Sequence, residues 1–482
     1  MSRRGKRVGH DVHDTRDADS TPNDDSLAAD VAASGDDDFR RKRRLTKFYR
    51  TKRNTFTFAR RPRRGWLVAA AVVLVVGLGA LGWTIVHRAR APKTADVAAA
   101  SSSPALPVPL PQRPEDWRGQ IDYRALDARI RTMMADRTME GLAIAVVENG
   151  RLSFVQGYGR TSPDDGEKID ADTIFRWASL SKTVAGTLSA RLAADGVFSL
   201  DDPLGKFQTS LRLPADAQNT LTVEQLLSQR TGLPRNAYDG WLEGGRDPRM
   251  IRESLAAVPP QCPPATCHTY QNVAYDTIRE VLETATHRSY ADEARQRLFV
   301  PLGMTSATIG LQGLQAARHW ARPSRYGRAM SPLDAYYRVP AAAGVNSNIV
   351  DLARWMQAQM GQAPAVLPTK VLADIQRPRV NTGRPYGNSP LGRSLQHPGY
   401  GLGMRSFTYK GHRMVGHSGA VDGYRSTMMF EPSTKTGVVM LWNSESSLPF
   451  KLQAEVFDSA YHQPFTDWLQ LKEGDRSPAL AP

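Results

Sequence analysis

Ser179-Leu180-Ser181-Lys182 places a hydroxyl and an amine three residues apart. The run from Ala178 to Ala194, closed by Asp195-Gly196, reads as a helix, so Ser179 and Lys182 at i and i+3 share one face, roughly 5 to 6 Å apart at Cβ. A serine hydroxyl attacks a carbonyl poorly until a neighbouring base takes its proton, and a buried lysine can be that base. Lowering a lysine from about 10.4 to about 7 requires about 4.6 kcal/mol, which burial can supply. Alone, S-x-x-K also occurs on ordinary solvated helix surfaces, so the chemistry needs partners. Tyr270-Gln271-Asn272 offers a phenol to pass a proton and an amide to orient a substrate carbonyl. His417-Ser418-Gly419-Ala420 is a third candidate, in a strand-like region near the carboxyl end.

The elements that must position these groups follow from patterning. Leu142 to Val147 and Leu152 to Gln156 are apolar runs around Glu148-Asn149-Gly150, a hairpin signal. Ser426 to Phe430 and Val438 to Trp442 form a second such pair. Between them the chain reads mainly helical. Thr222-Val223-Glu224-Gln225 fits a capping box, Asp276 to Ala285 has helical spacing, and Ser347 or Asn348 caps a helix running to Met360. Strands at both ends with helices between predict an α+β fold, a sheet made by both ends of the domain with an inserted helical region.

The 482 residues are 41% hydrophobic and 23% charged, which excludes a wholly disordered chain. The net charge of +15 lies mostly at one end: the first 93 residues hold 21 Lys/Arg against 10 Asp/Glu. No nucleic-acid module follows, so DNA and RNA are not expected partners. Gly65 to Val86 is an uncharged apolar run of 22 residues, about 33 Å as a helix against a hydrocarbon core of about 30 Å. The 13 Lys/Arg between Arg40 and Arg64 predict a single-pass anchor with a cytoplasmic amino end and an exported carboxyl part. A cleaved signal is the alternative, since Arg63-Arg64 precedes the apolar run. Gly77-Leu78-Gly79-Ala80-Leu81-Gly82 inside that run matches GxGxxG formally, but lacks the strand-to-helix context a dinucleotide site needs.

The expected organisation is a disordered cytoplasmic tail over 1–64, basic near the membrane, the span over 65–86, an Ala/Pro/Ser-rich stalk over 87–117, a catalytic domain over 118–472 and a short tail over 473–482. This places the domain in the periplasm or outside a bacterial inner membrane. Export would allow Cys262 and Cys267, just before Tyr270, to pair as a disulfide. No histidine spacing suggests a zinc site, and neither metal nor cofactor is expected.

Taken in order and with their flanks, these motifs resemble the serine β-lactamase and penicillin-binding protein superfamily, in particular its class C-like branch. Phe175-Arg176-Trp177-Ala178-Ser179-Leu180-Ser181-Lys182-Thr183 resembles the nucleophile segment, and Leu200-Asp201-Asp202-Pro203 the segment after that helix. Leu226 to Pro234 is similar to a loop that more often reads LLTHTSGLP, differing at Gln229-Arg230. Tyr270-Gln271-Asn272, Phe299 to Met304 and His417-Ser418-Gly419 complete the likeness, which spans roughly 122 to 445. The resemblance implies an antiparallel sheet with flanking helices joined to an all-α region, an acyl-enzyme on Ser179, acid/base work by Lys182 and Tyr270, and substrate binding by Asn272, His417, Ser418 and Gly419. It also implies an oxyanion hole from the backbone amides of Ser179 and Ala420.

Many β-lactamases carry K-T-G where this chain has His417-Ser418-Gly419. Within the family H-x-G occurs in D-amino-acid peptidases and D,D-carboxypeptidases, so D-peptide amides are the first expected substrates and carboxylesters the second, with efficient β-lactam hydrolysis the weaker expectation. A histidine near 6.5 also predicts that anionic substrates bind better as pH falls through its pKa. A penicillin-sensing or peptidoglycan-binding protein with little turnover is the reading from a different class.

Overall fold

A computed structural model describes residues 110–471. Eight antiparallel strands make the main sheet: β1 (Gly141–Glu148), β2 (Arg151–Gly159), β3 (Val380–Asn381), β4 (Leu395–Tyr400), β5 (Arg405–Tyr409), β6 (His412–Val421), β7 (Tyr424–Glu431) and β8 (Thr436–Trp442). Their order is β2-β1-β8-β7-β6-β5-β4-β3. The expected hairpin is present, with Glu148 opposite Arg151 and with Asn149 and Gly150 at φ +50° and +80°, the left-handed pair such a turn requires. Next to it, Leu142 faces Trp442 and Val146 faces Val438, so the first and last strands lie side by side. The two ends of the domain do build one sheet.

Alternation along the strands sorts side chains into two cores. Leu142, Ile144, Val146, Met440 and Trp442 pack with α1 (Tyr123–Met134) and α7 (Leu448–Ala460) on one face. Ala143, Ala145, Val147, Val439 and Leu441 face the other way. There they join Val184 and Leu188 of α2 (Lys182–Ala194) and Leu352, Trp355 and Met356 of α6 (Ile349–Gln359). The helical insertion includes α3 (Val223–Leu227), α4 (Asp239–Glu243) and α5 (Thr277–Thr286). Thr222 and Gln225 form the expected reciprocal cap on α3, and Asn348 caps α6. Much of the insertion consists of short helical turns joined by irregular chain, less regularly helical than its patterning suggests.

The stalk boundary needs correction. Residues 110–117 pack on the domain: the Pro111 carbonyl accepts from Val155 N, and the Trp117 ring lies 5.0 Å from Phe154. The physical reason is that β2 is the sheet's edge, whose unpaired amides favour an extended neighbour. The tail over 1–64, the apolar run over 65–86 and residues 473–482 lie outside the described residues. Among the described residues no helix is long and apolar enough to cross a membrane.

Candidate active site

The nucleophile turn is held by a small second sheet of three strands. Phe175–Arg176 pairs with Val345–Ser347, Trp177 is fully buried, and Ala178 takes a left-handed φ of +51°. A non-glycine residue at positive φ is a strained position that the surrounding structure must enforce. Ser179 follows in a 3₁₀ turn over Ala178–Ser181, half-buried, and α2 begins at Lys182. Ser181, the other serine of the motif, is buried and accepts from Val345 N, so it is structural.

Lys182 is wholly buried. Its Nζ lies 3.4 Å from Ser179 Oγ and donates to Asn272 Oδ1 at 2.6 Å and to the Ala342 carbonyl at 3.2 Å. It also sits 4.6 Å from the centroid of the Tyr270 ring. The four residues expected to work together, Ser179, Lys182, Tyr270 and Asn272, are therefore brought together. An amine at this distance can take the hydroxyl's proton, and a phenol whose ring lies against the amine can carry it onward.

Tyr270 is presented by a loop braced on both flanks. Gln229, itself at φ +63°, gives Oε1 to Gln271 N and its backbone carbonyl to Thr269 N, while its Nε2 donates to the Gln271 carbonyl. Gln229 is thus the physical content of the departure at Gln229-Arg230. Arg230 reaches the Ala265 carbonyl and pairs with Glu224, stitching the same loop. Cys262 and Cys267 are disulfide-bonded just upstream.

On the sheet side, Gly419 lies against the nucleophile turn. A Cβ there would sit 2.1 Å from the Trp177 carbonyl and 3.0 Å from Ser179 N, and Ser426 Oγ donates to the same carbonyl at 2.6 Å. Only glycine allows this approach. It brings the Ala420 end of β6 beside the Ser179 amide, which suits the expected pair of oxyanion donors. Strand β5 pairs with β6 only as far as Gly416, so residues 417–421 present an edge without a β5 partner. Ser418 is half-buried, with Oγ 3.4 Å from Thr427 Oγ1, which in turn donates to Gln453 of α7.

His417 behaves differently from expectation. Its ring is 2% exposed, Nδ1 lies 2.6 Å from the Ser418 carbonyl and Nε2 lies 3.0 Å from the Tyr400 hydroxyl. A carbonyl only accepts, so Nδ1 carries the proton and Nε2 receives the Tyr400 hydrogen. Burial, followed by the nearby Arg405 and Lys182 charges, holds its pKa well below 6.5. A ring so enclosed gives no support to the expected gain in anion binding as pH falls through this group. With both nitrogens engaged inside the protein, the imidazole also offers none to a substrate. Its ring resonances in ¹⁵N NMR should hold the neutral Nδ1-H pattern from pH 5 to 8, and a titration in that window would contradict this assignment.

Several residues of the site carried no local sequence signal. Arg405 of β5 is half-buried, its guanidinium 5.8 Å from the Tyr270 ring centroid and 5.5 Å from that of Tyr400. Its Nε is buried without a hydrogen-bond partner among the described residues. Arg235 lies 6.0 Å from the same Tyr270 centroid. Two guanidiniums thus flank the Tyr270 ring even with His417 neutral. His268, beside Tyr400, is lowered to about 3 by burial and by Arg405 and Arg235. Asp239, at the start of α4, accepts from Asn272 Nδ2 at 2.7 Å.

The description of a beta-lactamase family model matches residues 126–461, well over half the chain. An unguisins hydrolase of Aspergillus campestris is 27% identical over 338 residues, 66% of this chain and 61% of that protein. This chain thus spans a little over three fifths of that relative's length. Among solved structures, a penicillin-binding protein homologue from Pyrococcus abyssi superposes with a TM-score of 0.63 at 22% identity, covering 71% of this chain and 78% of that one. A D-alanine carboxypeptidase from Burkholderia cenocepacia gives 0.56 at 22% identity, covering 70% and 98%. These likenesses bear on fold alone. With the family match over the same residues that carry the Ser179 and Lys182 pair, the chain belongs to the beta-lactamase family of serine hydrolases.

Proposed function

We propose that this chain is an exported hydrolase, anchored in a bacterial inner membrane by residues 65–86, that cleaves D-amino-acid peptide amides bearing a free carboxylate, as cell-wall stem peptides do. Ser179 Oγ attacks the scissile carbonyl carbon as Lys182 Nζ takes its proton. The carbonyl oxygen gains negative charge and receives hydrogen bonds from the amides of Ser179 and Ala420. Collapse breaks the carbon–nitrogen bond, with Tyr270 relaying a proton from Lys182 to the leaving amine, and water then hydrolyses the ester on Ser179. Asn272 holds Lys182 and lies where it can meet the substrate's amide.

Arg405 is the observation that carries the substrate class. A guanidinium is never deprotonated in a protein and matches a carboxylate's two oxygens. Here one lies 5.8 Å from the Tyr270 ring centroid, beside the reacting groups. It supplies the charge that the His417 position lacks. The D-alanine carboxypeptidase among the structural neighbours is consistent with this reading. Carboxylesters are the second substrate class, since the same nucleophile serves them without any carboxylate contact.

A fluorophosphonate probe and a panel of D-alanyl peptides, D-amino amides, short esters and a cephalosporin, with Ser179→Ala as control, test the reading. Turnover of D-alanyl peptides that vanishes in the control is expected. A stoichiometric burst followed by silence would instead indicate a sensor. Arg405→Gln should raise KM for carboxylate-bearing peptides by about 10- to 100-fold, the range of a hydrogen bond to a charged group, and leave neutral esters unchanged. An equal loss on both would remove the carboxylate role.

A further inference from the structure

Asp239 is 7% exposed, and its two oxygens have unequal surroundings. Oδ2 accepts from Asn272 Nδ2 at 2.7 Å and from the Tyr336 hydroxyl at 3.3 Å. Oδ1 is buried without a hydrogen-bond partner among the described residues. An incompletely satisfied buried carboxylate destabilises a fold, and an apolar side chain of similar size would serve the packing better. Burial pushes this carboxyl up to about 6. Its nearest charged and titratable neighbours are Lys182 across Asn272, Tyr336, and Glu243 of α4, which accepts the Tyr336 hydroxyl at 2.8 Å.

The amide of Asn272 lies between Asp239 and Lys182. A carboxylate can only accept, so Asp239 draws Nδ2 to itself and leaves Oδ1 toward Lys182, where it accepts an N–H from Nζ. Without Asp239 the amide is free to turn, and with its NH₂ group facing Nζ it would no longer accept the bond that holds the amine beside Ser179.

We propose that Asp239 is a positioning residue for the reaction: it locks the Asn272 amide so that Oδ1 holds Lys182 Nζ against Ser179 Oγ. It touches neither substrate nor nucleophile. This inference rests on the assignment of Ser179 and Lys182 as the reacting pair, and it places a functional carboxylate at the start of α4, outside the family motifs.

The test is the rate of Ser179 labelling by a fluorophosphonate in the full chain, for wild type, Asp239→Leu, Asp239→Asn, Asn272→Ala and the double variant Asp239→Leu/Asn272→Ala. Asp239→Leu should slow labelling by about 10- to 100-fold, and Asp239→Asn less, because its own Oδ1 can still accept. In the Asn272→Ala background, Asp239→Leu should add nothing, a non-additivity that a merely structural role does not produce. Stability gives a second readout. A carboxyl whose folded pKa is raised favours the folded state below its unfolded value near 3.8, and that advantage is lost as pH rises through about 6. Asp239→Leu should therefore raise the thermal midpoint at pH 7 more than at pH 4. Labelling at the wild-type rate, or a loss that persists without Asn272, overturns the positioning role. Should Asp239→Leu fail to fold, the same cycle with Asp239→Asn decides by the same criteria. A wild type that never labels at Ser179 overturns the underlying assignment instead, and this role with it.

Discussion

Lys182→Met should reduce acylation of Ser179 by a factor on the order of 10⁴, the upper range for a positioned acid/base group, while the domain remains folded. Methionine keeps a flexible stem of similar length in a site that is wholly buried, so the packing against Tyr270 and Tyr275 is largely retained. What is lost is the amine 3.4 Å from the nucleophile. Two acceptors, Asn272 Oδ1 and the Ala342 carbonyl, lose their donor, at about 1 to 3 kcal/mol each. Labelling kinetics with thermal denaturation separate the two effects. A Lys182→Met variant that acylates within tenfold of wild type would show that another group takes the serine proton.

The second large effect is expected at Gly419. In Gly419→Ala the new methyl would meet the Trp177 carbonyl at 2.1 Å and Ser426 Oγ at 2.4 Å. The carbonyl belongs to the strained turn that aims Ser179, so it cannot yield without moving the nucleophile, and the other way out is for β6 to withdraw. Either response separates Ser179 N from Ala420 N. The loss of one oxyanion donor lowers turnover by about 10²- to 10³-fold, and overpacking lowers stability by about 1 to 3 kcal/mol. Wild-type turnover in this variant would mean that the two amides do not act as a pair. The effect should appear in kcat more than in KM, because the donors favour the charged intermediate over the bound substrate.

What could be read before the coordinates were known has a physical boundary. Ser179 and Lys182 were legible because one helical turn fixes their separation whatever the rest of the fold does. The hairpin at Asn149-Gly150, the cap at Thr222 and the cap at Asn348 were legible for the same reason: each is a contact within four residues. The α+β architecture followed from where apolar alternation begins and stops. Arg405, Tyr400 and Asp239 were not legible, since each reaches the site through strand pairing or loop packing across long stretches of chain. Gln229 did leave a trace, as a departure from the usual loop sequence, but its bonds to either side of Tyr270 were visible only in space. His417 shows the other limit. Its residue type was plain, while its protonation depended on burial, and no spacing pattern reports how much water a ring will see.

The pairing of the first strand with the last has a consequence for biogenesis. Leu142 cannot meet Trp442 until nearly the whole polypeptide has been synthesised, and closing so long a loop is entropically slow. The emerging polypeptide would thus lack its central strand pair, and the Ser179 turn that β6 braces would be completed only after the last strand has arrived.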